Sequence, residues 1–327
     1  MRRDFPTAIA FLNTSPSSTI SRFSCHISVT HASLWPGPYR SMVTTGRARR
    51  SLLAGIQYGT NYARCYHPTM ETRMWRALRT VLRGIALVYL GLCGVLFFFQ
   101  RSLIYFPQPG SGNGDATMIT LPVRKARVMV CTRPKESRRA LIYFGGNAED
   151  VSLNMPGFSA GFPDSAIYLL HYRGYGGSSG RPSEDSLFAD ALSLFDEVHA
   201  KHPDVDVVGR SLGSGIAVYV ASRRAVARLV LVTPYDSLQE LAAREFPYVP
   251  VRWLLLDKFE SWRFAPNVTA PTLIIAADHD EIVPRSSTEL LRSRFKSGVA
   301  SYAVLLGTGH NTISGSPDYI PLLKGSP

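Results

Sequence analysis

Residues 205–217 read Val-Asp-Val-Val-Gly-Arg-Ser-Leu-Gly-Ser-Gly-Ile-Ala, a β-branched run that turns through Gly209-Arg210-Ser211-Leu212-Gly213 into a segment of helical character. No other stretch constrains the fold as much. A strand that ends on Gly-x-Ser-x-Gly and opens at once into a helix makes a turn too tight for side chains at the two glycines. Ser211 is then held at the helix N-terminus, where the dipole favours developing negative charge. The backbone N–H of Leu212 is aimed at the same place, as an oxyanion donor. A bare Gly-x-Ser-x-Gly occurs by chance as an ordinary turn. The strand before it and the helix after it make this one specific.

Five further apolar runs of strand type lie at 140–144, 166–172, 229–232, 272–276 and 302–306, most of them bounded by Gly, Pro, Asp or Asn. Between several of them the periodicity changes to that of a helix. Over 184–200, Phe188, Ala191, Leu192, Phe195 and Val198 form a stripe at 3.6 spacing, with Ser183 as N-cap and Glu184 and Asp185 in the first turn. Continuously apolar strands alternating with helices predict an α/β fold with a mostly parallel sheet covered on both faces. Such sheets bind ligands beyond the C-terminal ends of their strands.

The segments after three of these strands carry the remaining candidates. Run 140–144 is followed by Gly145-Gly146-Asn147-Ala148, which offers the N–H of Asn147 as a second oxyanion donor. Run 272–276 is followed by Asp278-His279-Asp280-Glu281, and run 302–306 by Gly309-His310. The order serine, acid, histidine is that of a Ser-Asp-His triad built on a parallel sheet. His310 is the expected base and Asp280 the expected acid. Asp278 and Glu281 are adjacent alternatives, and Asp236, after run 229–232, is another. His171 and His279 read as structural or solvated.

The N-terminal third is of a different kind. Residues 1–101 carry 13 Arg, no Lys and two acids, a charge of +11 out of the chain's +12; residues 102–327 carry 23 basic and 22 acidic residues. The remainder is nearly neutral, and nothing in it suggests a nucleic-acid-binding face. Residues 84–99 hold no charge. Sixteen helical residues rise about 24 Å, a little short of a ~30 Å hydrocarbon core, and flanking apolar residues extend the run. The expected division is a leader over 1–73, disordered or the product of a misplaced start; a membrane anchor over 74–106 with a helix over about 81–103; and a catalytic domain over 107–327. Arg73, Arg76, Arg79 and Arg83 precede the run and Arg101 alone closely follows it. That asymmetry predicts a single pass with a cytoplasmic N-terminus and the large domain on the opposite side. The four cysteines show no CxxC pair or metal-ligand spacing, so no metal site or cofactor is expected.

The motifs at 145–148, His171-Tyr172-Arg173-Gly174-Tyr175-Gly176, 209–213, Pro234-Tyr235-Asp236-Ser237, 280–284 and Gly309-His310, with Gln100–Pro107 after the apolar run, resemble those of the membrane-anchored α/β-hydrolase-domain proteins. The resemblance covers roughly residues 74–325. It implies an α/β-hydrolase fold behind one transmembrane helix, with Ser211, Asp280 and His310 as triad and Asn147 and Leu212 as oxyanion donors. Two positions depart from the family's pattern: Gly145 stands where His is common, and His171 where Asp is common.

The expected activity is hydrolysis of esters or thioesters through an acyl-enzyme, on a small-molecule or lipid-like substrate, with an acylated protein as a further candidate. An apolar stretch over 246–256, with Trp253 prominent, suggests a small lid. The alternative is a catalytically silent, membrane-tethered scaffold for partner binding. A nucleotide-binding reading fails on the glycines at 174, 176, 177 and 180, which miss G-x-G-x-x-G because Ser179 stands where the third glycine belongs. A haloalkane dehalogenase would have Asp where Ser211 stands.

Overall fold

Successive side chains of a strand point to opposite faces, and the middle strands of this chain are apolar along most of their length, on both faces, so both faces of their sheet must be covered. The computed structural model, which describes residues 70–111 and 117–325, has that architecture. The leader expected over 1–73 lies outside the described residues except for its last four. Eight strands, β1 (Thr117–Val123), β2 (Ala126–Arg133), β3 (Arg139–Phe144), β4 (Ala166–Leu170), β5 (Asp204–Arg210), β6 (Arg228–Val232), β7 (Thr272–His279) and β8 (Ala300–Gly309), form one sheet. Its order is β1-β2-β4-β3-β5-β6-β7-β8. β3 to β8 run parallel, and β2 is antiparallel to both of its neighbours.

The helices are α1 (Met70–Ile104), α2 (Met155–Gly161), α3 (Glu184–His199), α4 (Leu212–Arg223), α5 (Leu238–Glu245), α6 (Val251–Leu254), α7 (Ser261–Phe264), α8 (Arg285–Arg294) and α9 (Tyr319–Lys324). Alternate residues of β3 divide between two cores. Ile142 and Phe144 pack with α3 and α4 on one face, while Leu141 and Tyr143 pack with α2 and α9 on the other. α3 begins at the expected cap: Ser183 Oγ accepts from the amide of Ser186, whose hydroxyl accepts from the amide of Ser183.

The sheet is larger than the apolar runs predict. β1 and β2 form an edge hairpin that the sequence reading omits. In β1 only Leu121 is buried, so no continuous apolar run marks it. Its turn is Arg124-Lys125, with Lys125 at φ +62°, in place of the Gly or Asn that usually marks such a turn. Pro122 is tolerated because β1 is an edge strand.

α1 also exceeds the expected helix, running from Met70 rather than about 81, and it is long and apolar enough to cross a membrane. At about 1.5 Å per residue its 35 residues rise roughly 52 Å. Its C-terminal turns dock onto the sheet domain. Arg101 pairs with the buried Asp257 at 3.0 Å, Tyr105 donates to the same carboxylate at 3.1 Å, and the Gln100 amide group bonds the Leu254 carbonyl and the Leu256 N–H.

Candidate active site

β5 is pinned between β3 and β6, and its last turn into α4 leaves no room for side chains at Gly209 or Gly213. A Cβ on Gly213 would collide with the carbonyl of Phe144, and one on Gly209 with the carbonyl of Gly213 and the side chain of Ala217. Ser211, between them, sits at φ +48° and ψ −117°, a sparsely populated positive-φ conformation that costs a non-glycine residue on the order of 1–3 kcal/mol. The turn is held by three bonds: Ser211 N–H to the Val232 carbonyl at 2.9 Å, and the amide and hydroxyl of Ser214 to the Ser211 carbonyl at 2.8 and 2.6 Å. Leu212 opens α4, in the first turn whose N–H groups lack intrahelical acceptors.

β7 and β8 deliver two loops to the same edge. Their parallel register shifts between Ala277 and His279, so that His279 pairs with Gly309. This bulge places Asp280 beside His310, thirty residues on. His310 Nδ1 lies 2.9 and 3.0 Å from the two Asp280 carboxylate oxygens, and its Nε2 lies 2.8 Å from Ser211 Oγ. With Nδ1–H donated to Asp280, Nε2 is left to accept from the serine hydroxyl, so the partners assign the tautomer. His310 and Asp280 are nearly buried. The same Asp280 carboxylate accepts the amides of Ile282 and Val283 at 3.0 and 2.7 Å, which fixes its orientation.

The rival acids lie elsewhere. Glu281 accepts the backbone N–H of His310 at 3.1 Å and does not bond the ring. Asp278 faces His279 and the Gly307 amide. Asp236 is buried and bonded to Ser287. His279 is exposed, and His171 is buried with Nε2 2.9 Å from Ser152 Oγ, where burial lowers its pKa from the ordinary histidine range and the charge of Asp150 partly opposes that shift.

The loop after β3 approaches Ser211 from the other side; a Cβ on Gly146 would stand 3.6 Å from Ser211 Cβ. The Gly146 amide is engaged by Glu149 at 2.5 Å, and Asn147 lines the same cavity as Ser211. The Asn147 side chain turns away from the serine. Its oxygen accepts from the Phe106 amide at 3.1 Å and the Tyr175 hydroxyl at 2.8 Å, and its nitrogen donates to the Ile104 carbonyl at the end of α1.

Two groups here escape sequence reasoning. Glu149 and Arg210 form a nearly buried ion pair at 3.1 Å. Glu149 also accepts from Tyr143 and Asn154, and Arg210 donates to the His310 carbonyl at 3.3 Å. One network thereby ties the Gly146 loop, the elbow and the histidine loop. The available signal was a cation inside the elbow, which has to find an acid once buried.

Ser211, Leu212 and Asn147 open onto a cavity of about 500 Å³ with mostly apolar walls. That volume falls in the usual range for small-ligand sites, about 300–1,000 Å³. α5, α6 and the segment between them cap it through Leu241, Val249 and Leu254. Trp253, the prominent residue of the expected lid, is 88% exposed and does not line the cavity. The opposite wall is α1, through Leu96, Phe97 and Ile104.

The sheet order, the serine on its strained turn and the acid and histidine after the last two strands define an α/β-hydrolase. No family model matches the sequence. An uncharacterised protein of Mycobacterium tuberculosis strain H37Rv is 35% identical over 267 residues, covering 74% of this chain and 91% of its own. The α/β hydrolase domain-containing protein aho-3 of Caenorhabditis elegans is 32% identical over 216 residues, 63% of each chain. Among solved structures, an esterase of Pyrococcus furiosus superposes with a TM-score of 0.53 at 17% identity, covering 67% of this chain and 97% of its own, a likeness of fold. The chain belongs to the α/β-hydrolase superfamily, in the family of the mycobacterial protein.

Proposed function

We propose that this protein is a membrane-anchored serine hydrolase that cleaves an ester or thioester through an acyl-enzyme on Ser211. The observation that carries the proposal is the unbroken chain Ser211 Oγ–His310–Asp280, with spacings of 2.8 and 2.9 Å, at the mouth of an apolar cavity. Ser211 Oγ attacks the acyl carbon while His310 Nε2 takes its proton. The negative charge that develops on the carbonyl oxygen is held by the amides of Leu212 and Asn147. The bond from the acyl carbon to the leaving oxygen or sulfur breaks, and His310 returns its proton to that atom. A water molecule, deprotonated by the same nitrogen, then releases the acid and restores the serine. Asp280 holds the tautomer and stabilises the imidazolium in both halves.

Residues 74–106, which hold most of α1, serve as the anchor, residues 107–327 as the catalytic domain and residues 1–73 as the leader. The excess of arginine before the apolar run supports a cytoplasmic N-terminus with the catalytic domain on the opposite side. The apolar cavity supports a substrate with a hydrocarbon acyl group.

The test is pre-steady-state hydrolysis of p-nitrophenyl butyrate. A burst of nitrophenol close to one equivalent per protein, with an intact mass increased by one butyryl group on Ser211, is expected. Where deacylation is too fast for either signature, added methanol should divert part of the butyryl group to methyl butyrate; turnover that gives no burst, no adduct and no such diversion would rule out the acyl-enzyme.

A further inference from the structure

The apolar run of α1 is part of the binding site as well as the stretch suited to a bilayer. Within residues 84–99, the Tyr89 hydroxyl donates to the Tyr248 carbonyl of the cap at 2.8 Å, and one residue beyond the run Gln100 clasps the backbone of Leu254 and Leu256. Between these two docking points, Leu96 and Phe97 face the cavity. The helix rises about 16 Å from Tyr89 to Gln100, roughly half of a ~30 Å hydrocarbon core. The cavity wall therefore belongs to the segment that a membrane would surround.

The outside of that wall is apolar as well. Val88, Leu90, Val95, Phe98 and Phe99 are all more than half exposed on α1, and beside them the cap exposes Tyr248 and Trp253 almost completely. So many large apolar side chains left exposed on one helix and its neighbouring cap mark a membrane or partner contact, and tyrosine and tryptophan are the residues that settle at a bilayer interface. The exposed Trp253, out of place as a cavity residue, fits a cap resting in the membrane surface. At the inner end the cavity reaches Ser211 and Leu212.

On the reading that Ser211 is the nucleophile, we propose that this cavity is an acyl-chain subsite loaded sideways from the bilayer. Its substrate is a membrane-resident lipid carrying a long acyl chain in ester linkage, and Phe97 of the anchor helix limits the length of chain accepted. The lipid's ester carbonyl lies at Ser211 while its chain runs between α1 and the cap, so the chain passes from hydrocarbon to an apolar wall without crossing water.

The experiment uses the full chain in phosphatidylcholine vesicles and a hexadecyl fluorophosphonate with a diazirine at the end of its chain. Phosphonylation of Ser211, which forms the Oγ–P bond and expels fluoride, fixes the head; irradiation then marks whatever the chain end touches. Crosslinks to residues 96–104 of α1 are expected. Crosslinks confined to peptides outside α1 overturn the subsite while leaving the serine hydrolase intact. Absence of phosphonylation at Ser211 overturns the underlying reading and this inference with it. A second measurement compares p-nitrophenyl palmitate with the butyrate. Phe97→Trp lowers the palmitate-to-butyrate ratio of kcat/KM about tenfold or more, the scale of discrimination an apolar pocket makes over a few atoms. Phe98→Trp, on the exposed side of the same helix turn, leaves that ratio unchanged. Equal ratios for Phe97→Trp and the unaltered protein overturn the role of Phe97.

Discussion

Arg210, the second residue of the turn that carries Ser211, holds Glu149 at 3.1 Å in a nearly buried ion pair. Through that pair the chain couples loops that would otherwise move independently. Glu149 fixes the Gly146 amide, and Arg210 reaches the carbonyl of His310. Neither side chain is required to touch substrate; both position the groups that do.

Breaking this pair on one side should therefore cost both stability and rate. Glu149→Gln should lose about 3–5 kcal/mol of stability, the scale for uncovering a buried partner. It should lower kcat on the order of 10²-fold, with a smaller change in KM, because a misplacement near 1 Å has that effect. Combining it with Arg210→Met should restore part of the stability, since no charge is then left unpaired. Chemical denaturation of the two single variants and the double variant checks this; strictly additive losses would contradict the coupling.

The placement of Asp280, and the separation of its rivals, gives a ranked set. Asp280→Asn should lower kcat by on the order of 10⁴-fold with little change in thermal stability, because the imidazole would then sit in the wrong tautomer. Glu281→Gln, which bonds the His310 backbone and not its ring, should cost far less. Asp236→Asn should act on folding, through its bond to Ser287, and not on rate. Steady-state kinetics and melting curves of the three variants separate these outcomes. A larger rate loss for Asp236→Asn than for Asp280→Asn would contradict the assignment.

Asp257 joins α1 to the sheet domain through Arg101 and Tyr105. Burial and the neighbouring carboxylate push the Tyr105 phenol well above the usual tyrosine range, so it remains a donor at any working pH. Asp257→Ala should lower stability by about 1–3 kcal/mol, the scale of leaving such donors unpaired. The melting temperature of the vesicle-bound protein is the readout, and an unchanged value would show that the pair contributes nothing to docking.

His171 supplies a pH dependence. Burial holds its imidazole below the ordinary range, and its Nε2 bond to Ser152 is made by the neutral ring. In the unfolded chain it titrates near 6.5, so below that pH the unfolded state binds more protons than the folded one. The stability His171 contributes is present above about pH 6.5 and is lost as pH falls toward its depressed folded value. Melting temperatures between pH 7.5 and 5 should fall less steeply for His171→Asn than for the unaltered chain. Identical slopes would contradict this.

Much of the site was legible because its chemistry is local. Gly209 and Gly213, with a strand before them and a helix after, announce a tight strand–turn–helix, and Asp280 and His310 follow strands that read clearly. The β1–β2 hairpin was not legible, since exposed edge strands need no apolar run and Lys125 supplies the positive φ without a glycine. Long-range pairing was not legible either. Glu149 and Arg210 lie 61 residues apart, and nothing in either neighbourhood names the other. The apolar run reads as suited to a membrane, and α1 is long and apolar enough to cross one, but that reading hides its place in the cavity wall. A bilayer and an apolar cavity ask for the same side chains, so Leu96 and Phe97 carry no mark of the cavity they line. Trp253 misled for the same reason, as an apolar residue that faces outward.

The central claim is that Ser211 is an activated nucleophile. Its most direct test is reaction of the folded, full-length protein with a short-chain fluorophosphonate, followed by peptide mass spectrometry. The account predicts stoichiometric modification of Ser211 in the unaltered protein and none in Ser211→Ala. A folded protein that stays unmodified, or one in which Ser211→Ala is modified equally, would contradict it.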